Sequence, residues 1–151
     1  MSFLIPGLAG FFGVLVMTFF LRRARYLHLP ESQMVRAIGS LITRNYETSL
    51  LPGTLVHMAM GTLFGYGYSM LLSTAPISGT NPFIGIALCS FMGLVHGMIV
   101  TLFLVIAVAQ NHPLERFKSL TPEDMMSHVI AHLAYGMTVG FMFVVLPTYL
   151  G

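Results

Sequence analysis

Charge is what this 151-residue sequence has least of: Asp, Glu, Lys and Arg together make up 8% of it. A soluble domain of this length carries about 25%. With 56% hydrophobic residues and a mean hydropathy of +0.82, the chain has too little polar surface to cover itself in water, so lipid is its expected solvent. Tryptophan is absent. Cysteine occurs once, at Cys89, which excludes an intrachain disulfide, a thiolate metal cluster and a Cys-x-x-Cys-His haem attachment. There is no glycine-rich phosphate loop, no Ser-x-x-Lys or Gly-x-Ser-x-Gly nucleophile and no His-Glu-x-x-His zinc motif. The polar stretches are too short for a catalytic domain, and the expectation is that the protein is not an enzyme.

Long apolar runs fill the rest. A transmembrane helix needs about 20 residues, and four runs reach that length, at about 3–21, 54–72, 83–108 and 125–146. The third is longer than necessary and must tilt or project. All seven basic residues (Arg22, Arg23, Arg25, Arg36, Arg44, Arg116, Lys118) fall in the first and third connections, with all five acids. The second connection, Ser73 to Pro82, and both ends of the chain have no charged side chain. By the positive-inside rule the first and third connections face the cytoplasm and both termini lie outside. The expected location is the inner membrane of a prokaryote. No positive residue precedes the first apolar run, so that run reads as a retained anchor rather than a cleaved signal. The basic residues hug membrane ends, where phospholipid headgroups account for them, and no nucleic-acid partner is expected.

The motif His57-Met58-Ala59-Met60-Gly61, with Gly65 four further on, recurs as His132-Leu133-Ala134-Tyr135-Gly136, with Gly140 four further on. A weaker match lays Gly10 through Leu21 on Gly93 through Leu104. The fold class is therefore an all-α integral membrane protein: a single domain of four spans in two pseudo-repeated halves, related by an axis along the membrane normal. In the long first connection, Glu31 to Tyr46 puts Met34, Val35, Ile38, Leu41 and Ile42 on one face and Arg36, Ser40, Thr43 and Arg44 on the other. Such a segment predicts an amphipathic helix on the cytoplasmic leaflet, with Pro52-Gly53 breaking the chain after it. Thr121-Pro122-Glu123-Asp124 is a helix start: a Thr cap, proline at the first position and acids near the positive end of the dipole.

Every span carries small residues four apart: Ala9 and Gly13, Gly61 and Gly65, Gly93 and Gly97, Gly136 and Gly140. In lipid, close backbone approach at small residues supplies helix packing. These ladders predict a compact bundle, and the twelve methionines read as adaptable packing residues.

Histidine is the candidate chemistry. His28 and His112 fall in inner connections and are expected to be solvated, whereas His57, His96, His128 and His132 lie inside spans. An ionisable group at membrane depth is a functional hypothesis by default. At about 1.5 Å of rise per residue, His57 and His132 reach similar depths in the inner half, within range of Met17 and Thr18. Three readings are open. In the first, each histidine donates one hydrogen bond to a neighbouring helix and no cofactor is present. In the second, His57, His132, His96 and His128, with Met17, hold a metal or haem; imidazole is the commonest metal ligand, axial histidine holds haem b, and His57, Met60, His132 and Met17 form a copper variant. The glycine at i+4 would leave room for a flat macrocycle. The third is a proton or ion relay with Glu47 or Asp124 at the inner mouth.

Val16-Met17-Thr18, Leu29-Pro30-Glu31 and the His-plus-glycine openings of spans two and four resemble the YagU-like group of small four-span membrane proteins. The resemblance implies the four-span fold and supplies no activity. The function expected from the sequence is a small accessory subunit of a larger, bioenergetic membrane complex, respiratory or photosynthetic, with lipid and other subunits as partners. The alternatives are a histidine-ligated haem or copper protein for electron transfer or metal handling, and a small homo-oligomeric transporter.

Overall fold

The computed structural model describes residues 3–28, 32–75 and 81–150, and among them there is no strand. Five helices follow one another: α1 (Leu4–Arg23), α2 (Met34–Thr43), α3 (Leu50–Thr74), α4 (Pro82–Phe103) and α5 (Pro122–Leu150). A π-helical turn, Leu104–Val108, and a 3₁₀ turn, Ala109–Asn111, prolong α4. Three stretches are long and apolar enough to cross a membrane: Leu4–Tyr26, Pro82–Asn111 and Pro122–Pro147. The fourth expected span is also one uninterrupted helix, 25 residues in α3, but with its glycines, hydroxyls, tyrosines and His57 it is not one of these three. Large hydrophobic side chains cover the outside, Phe19, Leu55, Leu63, Phe91, Ile99, Leu102 and Phe141 among them. A water-exposed surface of that kind would aggregate; against lipid it is the expected one.

The starts and stops have local causes. Asn81 accepts a hydrogen bond from the Phe83 amide at 2.9 Å, with Pro82 at the first helical position of α4. Thr121 and Asp124 cap α5 reciprocally: Thr121 Oγ1 accepts from the Asp124 amide and Asp124 Oδ2 from the Thr121 amide. Arg44 ends α2 in the left-handed region at φ 52°. Two sequence expectations change here. Pro52-Gly53 does not break the chain: Pro52 lies in the first turn of α3, where its missing amide hydrogen costs no helical bond. The amphipathic helix is shorter than 31–46: Gln33 stands before it outside helical geometry, it runs from Met34 to Thr43, and Arg44 ends it; the Leu29-Pro30-Glu31 motif lies outside the described residues. Most of the second connection, 76–80, also lies outside them.

Packing order round the bundle is α3–α1–α5–α4, while α3 and α4 scarcely touch. Glycines set that order. A Cβ on Gly10 would sit 2.7 Å from the carbonyl oxygens of Gly61 and Thr62 and 2.9 Å from Gly65 Cα, so α1 and α3 meet backbone to backbone. A Cβ on Gly93 would sit 2.5 Å from the His132 carbonyl oxygen and 3.0 Å from Gly136 Cα, so α4 and α5 do the same. The two crossings differ in register. Gly10 meets Gly65, whereas Gly93 meets Gly136, the sequence counterpart of Gly61, one helical turn away. The other ladder positions are also closed: a Cβ on Gly97 would sit 2.7 Å from His132 Cβ, and one on Gly140 2.8 Å from Ile86 Cα. The core between the helices holds Ile5, Val14, Met17, Leu21, Tyr68, Cys89, Tyr135 and Val139.

Helix α2 packs across the start of α3, with Gly39 and Gly53 at the contact. His112, expected in solvent, is 1% exposed. Its Nε2 lies 3.0 Å from the Ala37 carbonyl oxygen, and its Nδ1 lies 3.0 Å from the Leu114 amide nitrogen. If Nδ1 accepts that amide hydrogen, the ring carries its own proton on Nε2 and donates it to Ala37. His112 thus ties α2 to the connection between α4 and α5.

Candidate functional site

Because α3 and α4 stand apart, a cavity of about 380 Å³ opens between them. Its back wall is α5, through His128, His132 and Tyr135, with Met17 of α1 beside them. Helix α3 contributes Val56, His57, Met60, Gly61 and Phe64; α4 and its π turn contribute His96, Val100, Phe103, Leu104 and Val108. Ile38 and Leu41 of α2 close one end. Phe64 and His96 close the other, their ring centroids 4.2 Å apart. Met60, Phe64, Phe103 and Leu41 are exposed at the mouth, while His128, His132 and Tyr135 are buried at the back. No charged residue lines the cavity among those described.

All four histidines inside the predicted spans, together with Met17, therefore share one cavity. Spacing along the chain accounts for this. His128 and His132 are one turn apart on α5, and their centroids are 5.0 Å apart. Gly97 lets α4 lie directly on His132, which brings the neighbouring His96 ring to 4.9 Å from the His132 ring, edge to face.

Hydrogen bonding divides these rings. His132 Nδ1–H donates to its own helix, to the His128 carbonyl oxygen at 2.9 Å. In the neutral ring this leaves Nε2 as an acceptor. His96 Nδ1 lies 3.4 Å from the Tyr68 hydroxyl, at the edge of hydrogen-bond range. His57 Nε2, His96 Nε2 and His128 Nδ1 are buried with no protein partner. The expectation that each histidine bonds a neighbouring helix is thus not how the chain is built: the one short bond, from His132, is to its own helix.

Tyr135 was not singled out by the sequence, although it sits inside the second copy of the repeated motif. Its hydroxyl donates to the Gly61 carbonyl oxygen at 2.6 Å and joins α5 to α3 behind the cavity. Tyr68 is likewise buried, edge-on to Tyr135 at 5.4 Å. A tyrosine ring in an apolar helix reads as packing until its hydroxyl partner is known, and no sequence signal gives that partner.

Two features bear on a metal or a haem. Among the described residues no three His, Cys, Asp or Glu side chains are gathered as ligands of a metal ion. The faces of Gly61 and Gly136, which would have made room for a macrocycle, are filled by Val14 and by the Cys89 backbone. Comparison with known proteins returns no match: no protein-family model, no curated protein and no solved structure is similar to this chain.

Proposed function

We propose that this protein crosses the membrane four times, with α3 as the fourth span, and binds a small lipid-soluble molecule in the histidine-lined cavity between α3 and α4. The observation that carries the reading is that three of the histidines lining one apolar cavity each hold a buried ring nitrogen without a protein partner. An unsatisfied polar group in an apolar setting costs about 1–3 kcal/mol, so an arrangement with three of them calls for something that satisfies them. An apolar pocket with a few convergent polar groups, at the lower end of the ~300–1,000 Å³ usual for small-molecule sites, is the form such a site takes. A subunit that only packs needs no cavity of this kind.

The mouth supports a ligand arriving from the bilayer. It lies between α3 and α4, no charged residue among those described lines it, and it is framed by Met60, Phe64 and Phe103. With the basic connections inside, α2 closes the cytoplasmic end and both termini lie outside. A histidine-ligated metal is the second reading, because Met17 and all four histidines converge here. Among the described residues, that reading finds no carboxylate in the lining to offset the ion's charge.

The test is chemical analysis of what the protein carries when purified in mild detergent. Solvent extraction and mass spectrometry, with metal analysis alongside, would compare wild type with a His96→Leu/His132→Leu variant that still folds. A defined small molecule retained by wild type and lost by the variant is the expected result. Equal contents in both would overturn the proposal. Stoichiometric metal lost by the variant would establish the second reading. Native migration within a large assembly, with a partner helix crosslinked to Phe103, would return the protein to the role of an accessory subunit.

A further inference from the structure

This inference rests on the cavity being a ligand site and concerns which ligand it takes. We infer that the ligand is an uncharged, flat-ring headgroup carrying carbonyl or hydroxyl oxygens on an apolar tail, the chemistry of a quinone or quinol. Charge decides first. Among the described residues, the lining has no Arg or Lys for a phosphate or carboxylate and no Asp or Glu for an ammonium. A charged headgroup moved from the membrane surface into this cavity would be unpaired, at a cost that excludes it.

Hydrogen bonding decides second. The histidines that line the cavity carry nitrogens of both kinds. His132 Nε2 accepts, because its Nδ1–H is engaged with the His128 carbonyl. The unpartnered nitrogens of His57, His96 and His128 donate or accept according to tautomer. A carbonyl oxygen needs donors and a hydroxyl needs an acceptor as well; this set serves both, and so serves both redox forms of one headgroup. Aliphatic chains alone would leave every nitrogen unsatisfied.

Shape decides third. About 380 Å³ holds a headgroup but not a whole lipid. His96, Phe64, Phe103 and Tyr135 put four aromatic rings in the lining, and a flat ring can pack against such rings. The mouth between α3 and α4 lets an apolar tail leave sideways into the bilayer, past exposed Met60 and Phe103.

The sequence supplies a clean reporter, because it has no tryptophan. In Phe103→Trp the only indole sits at the mouth; in Phe83→Trp it sits at the far end of α4. The probe is a benzoquinone with a decyl chain, which quenches indole fluorescence on contact. The expected result is saturable quenching at position 103 and unsaturable, partition-like quenching at position 83. Adding His132→Gln or His96→Gln, each checked for helix content, weakens the saturable phase about tenfold, as for one lost hydrogen bond. Identical unsaturable quenching at both positions, with dodecanol saturably displacing an environment-sensitive dye from the cavity, overturns the ring-headgroup inference and leaves the cavity reading standing. Failure of quinone, dodecanol and oleate alike to give any saturable signal overturns both.

Discussion

Replacing Gly93 by alanine tests whether the α4–α5 crossing is as close as described. The new Cβ would stand 2.5 Å from the His132 carbonyl oxygen and 3.0 and 3.1 Å from Gly136 Cα and N, whereas ordinary contact begins at 3.4 Å. All three neighbours are backbone, so no side chain can swing away and the helices themselves must part by about 1 Å. A gap of that size already forfeits a quarter to a half of each atom pair's dispersion energy. Overpacking of this kind costs about 1–3 kcal/mol, against a gain of about 0.8–1 kcal/mol from better helix propensity. The net effect is destabilising, on the order of 1–2 kcal/mol. Gly67 is the control, because a Cβ there meets nothing within 4 Å. Gly67→Ala keeps only the propensity gain, up to about 1 kcal/mol. The single cysteine gives the assay: Cys89 is buried and 0% exposed, so a fluorogenic thiol reagent reacts as the bundle opens. On heating in mild detergent, Gly93→Ala should label several degrees below wild type, at roughly 2–4 °C per kcal/mol, and Gly67→Ala at or above it. A Gly93→Ala protein as stable as wild type, or a Gly67→Ala protein as weakened as Gly93→Ala, would refute the backbone contact.

Three other substitutions probe the cavity and its frame. Tyr135→Phe removes the 2.6 Å bond to the Gly61 carbonyl, and should cost about 1 kcal/mol in the same melt; no loss would mean the bond contributes nothing. His112→Ala deletes the link between Ala37 and Leu114, and should cost about 2 kcal/mol or more. Hydrogen exchange should rise in α2 while α1 and α4 stay protected; uniform loosening would count against a local tie. His57→Leu removes a buried nitrogen that no protein group serves. The unliganded protein should gain about 1–2 kcal/mol, while ligand retention falls. A structural histidine would show the opposite sign, a loss of stability on replacement.

How far the sequence could be read depended on the kind of signal. Charge distribution and length located all four long helices, because a run without Asp, Glu, Lys or Arg is a property of composition. The Thr121-Pro122-Glu123-Asp124 start was legible because capping is local chemistry. Rise per residue placed His57, His132 and Met17 near one depth, and they line one cavity. Depth could not say which way rings point, so it could not foresee that Tyr68 and Tyr135 lie beside the His96 ring or that His96 meets the His132 ring. His112 was assigned to solvent because polar connections are usually wet, and tertiary burial overrode that. The π turn at Leu104–Val108 has no residue signature, although two of its residues line the cavity. The repeated motif suggested equal pairing in both halves, and the one-turn difference between the crossings comes from which glycine each partner meets.

The glycines and the histidines, read separately along the chain, are two parts of one construction. Gly61 and Gly65 of α3 both face α1, against Val14, Pro6 and Gly10. Gly93 and Gly97 of α4 both face α5, against His132, Gly136 and Val129. These seams point to neighbours other than each other, so none of the four glycines brings α3 and α4 together. Between α3 and α4 stand Met60, Phe64, Val100 and Phe103, with His57 and His96 among them. Side chains of this bulk hold two helices apart, and in lipid no hydrophobic drive closes the gap. Gly97, by admitting the Cβ of His132, also turns the α5 histidines toward that opening. Tight crossings on two sides and an open slot on the third are therefore the same pattern, and lining that slot with histidines whose ring nitrogens lack protein partners is what separates this bundle from one built only to pack.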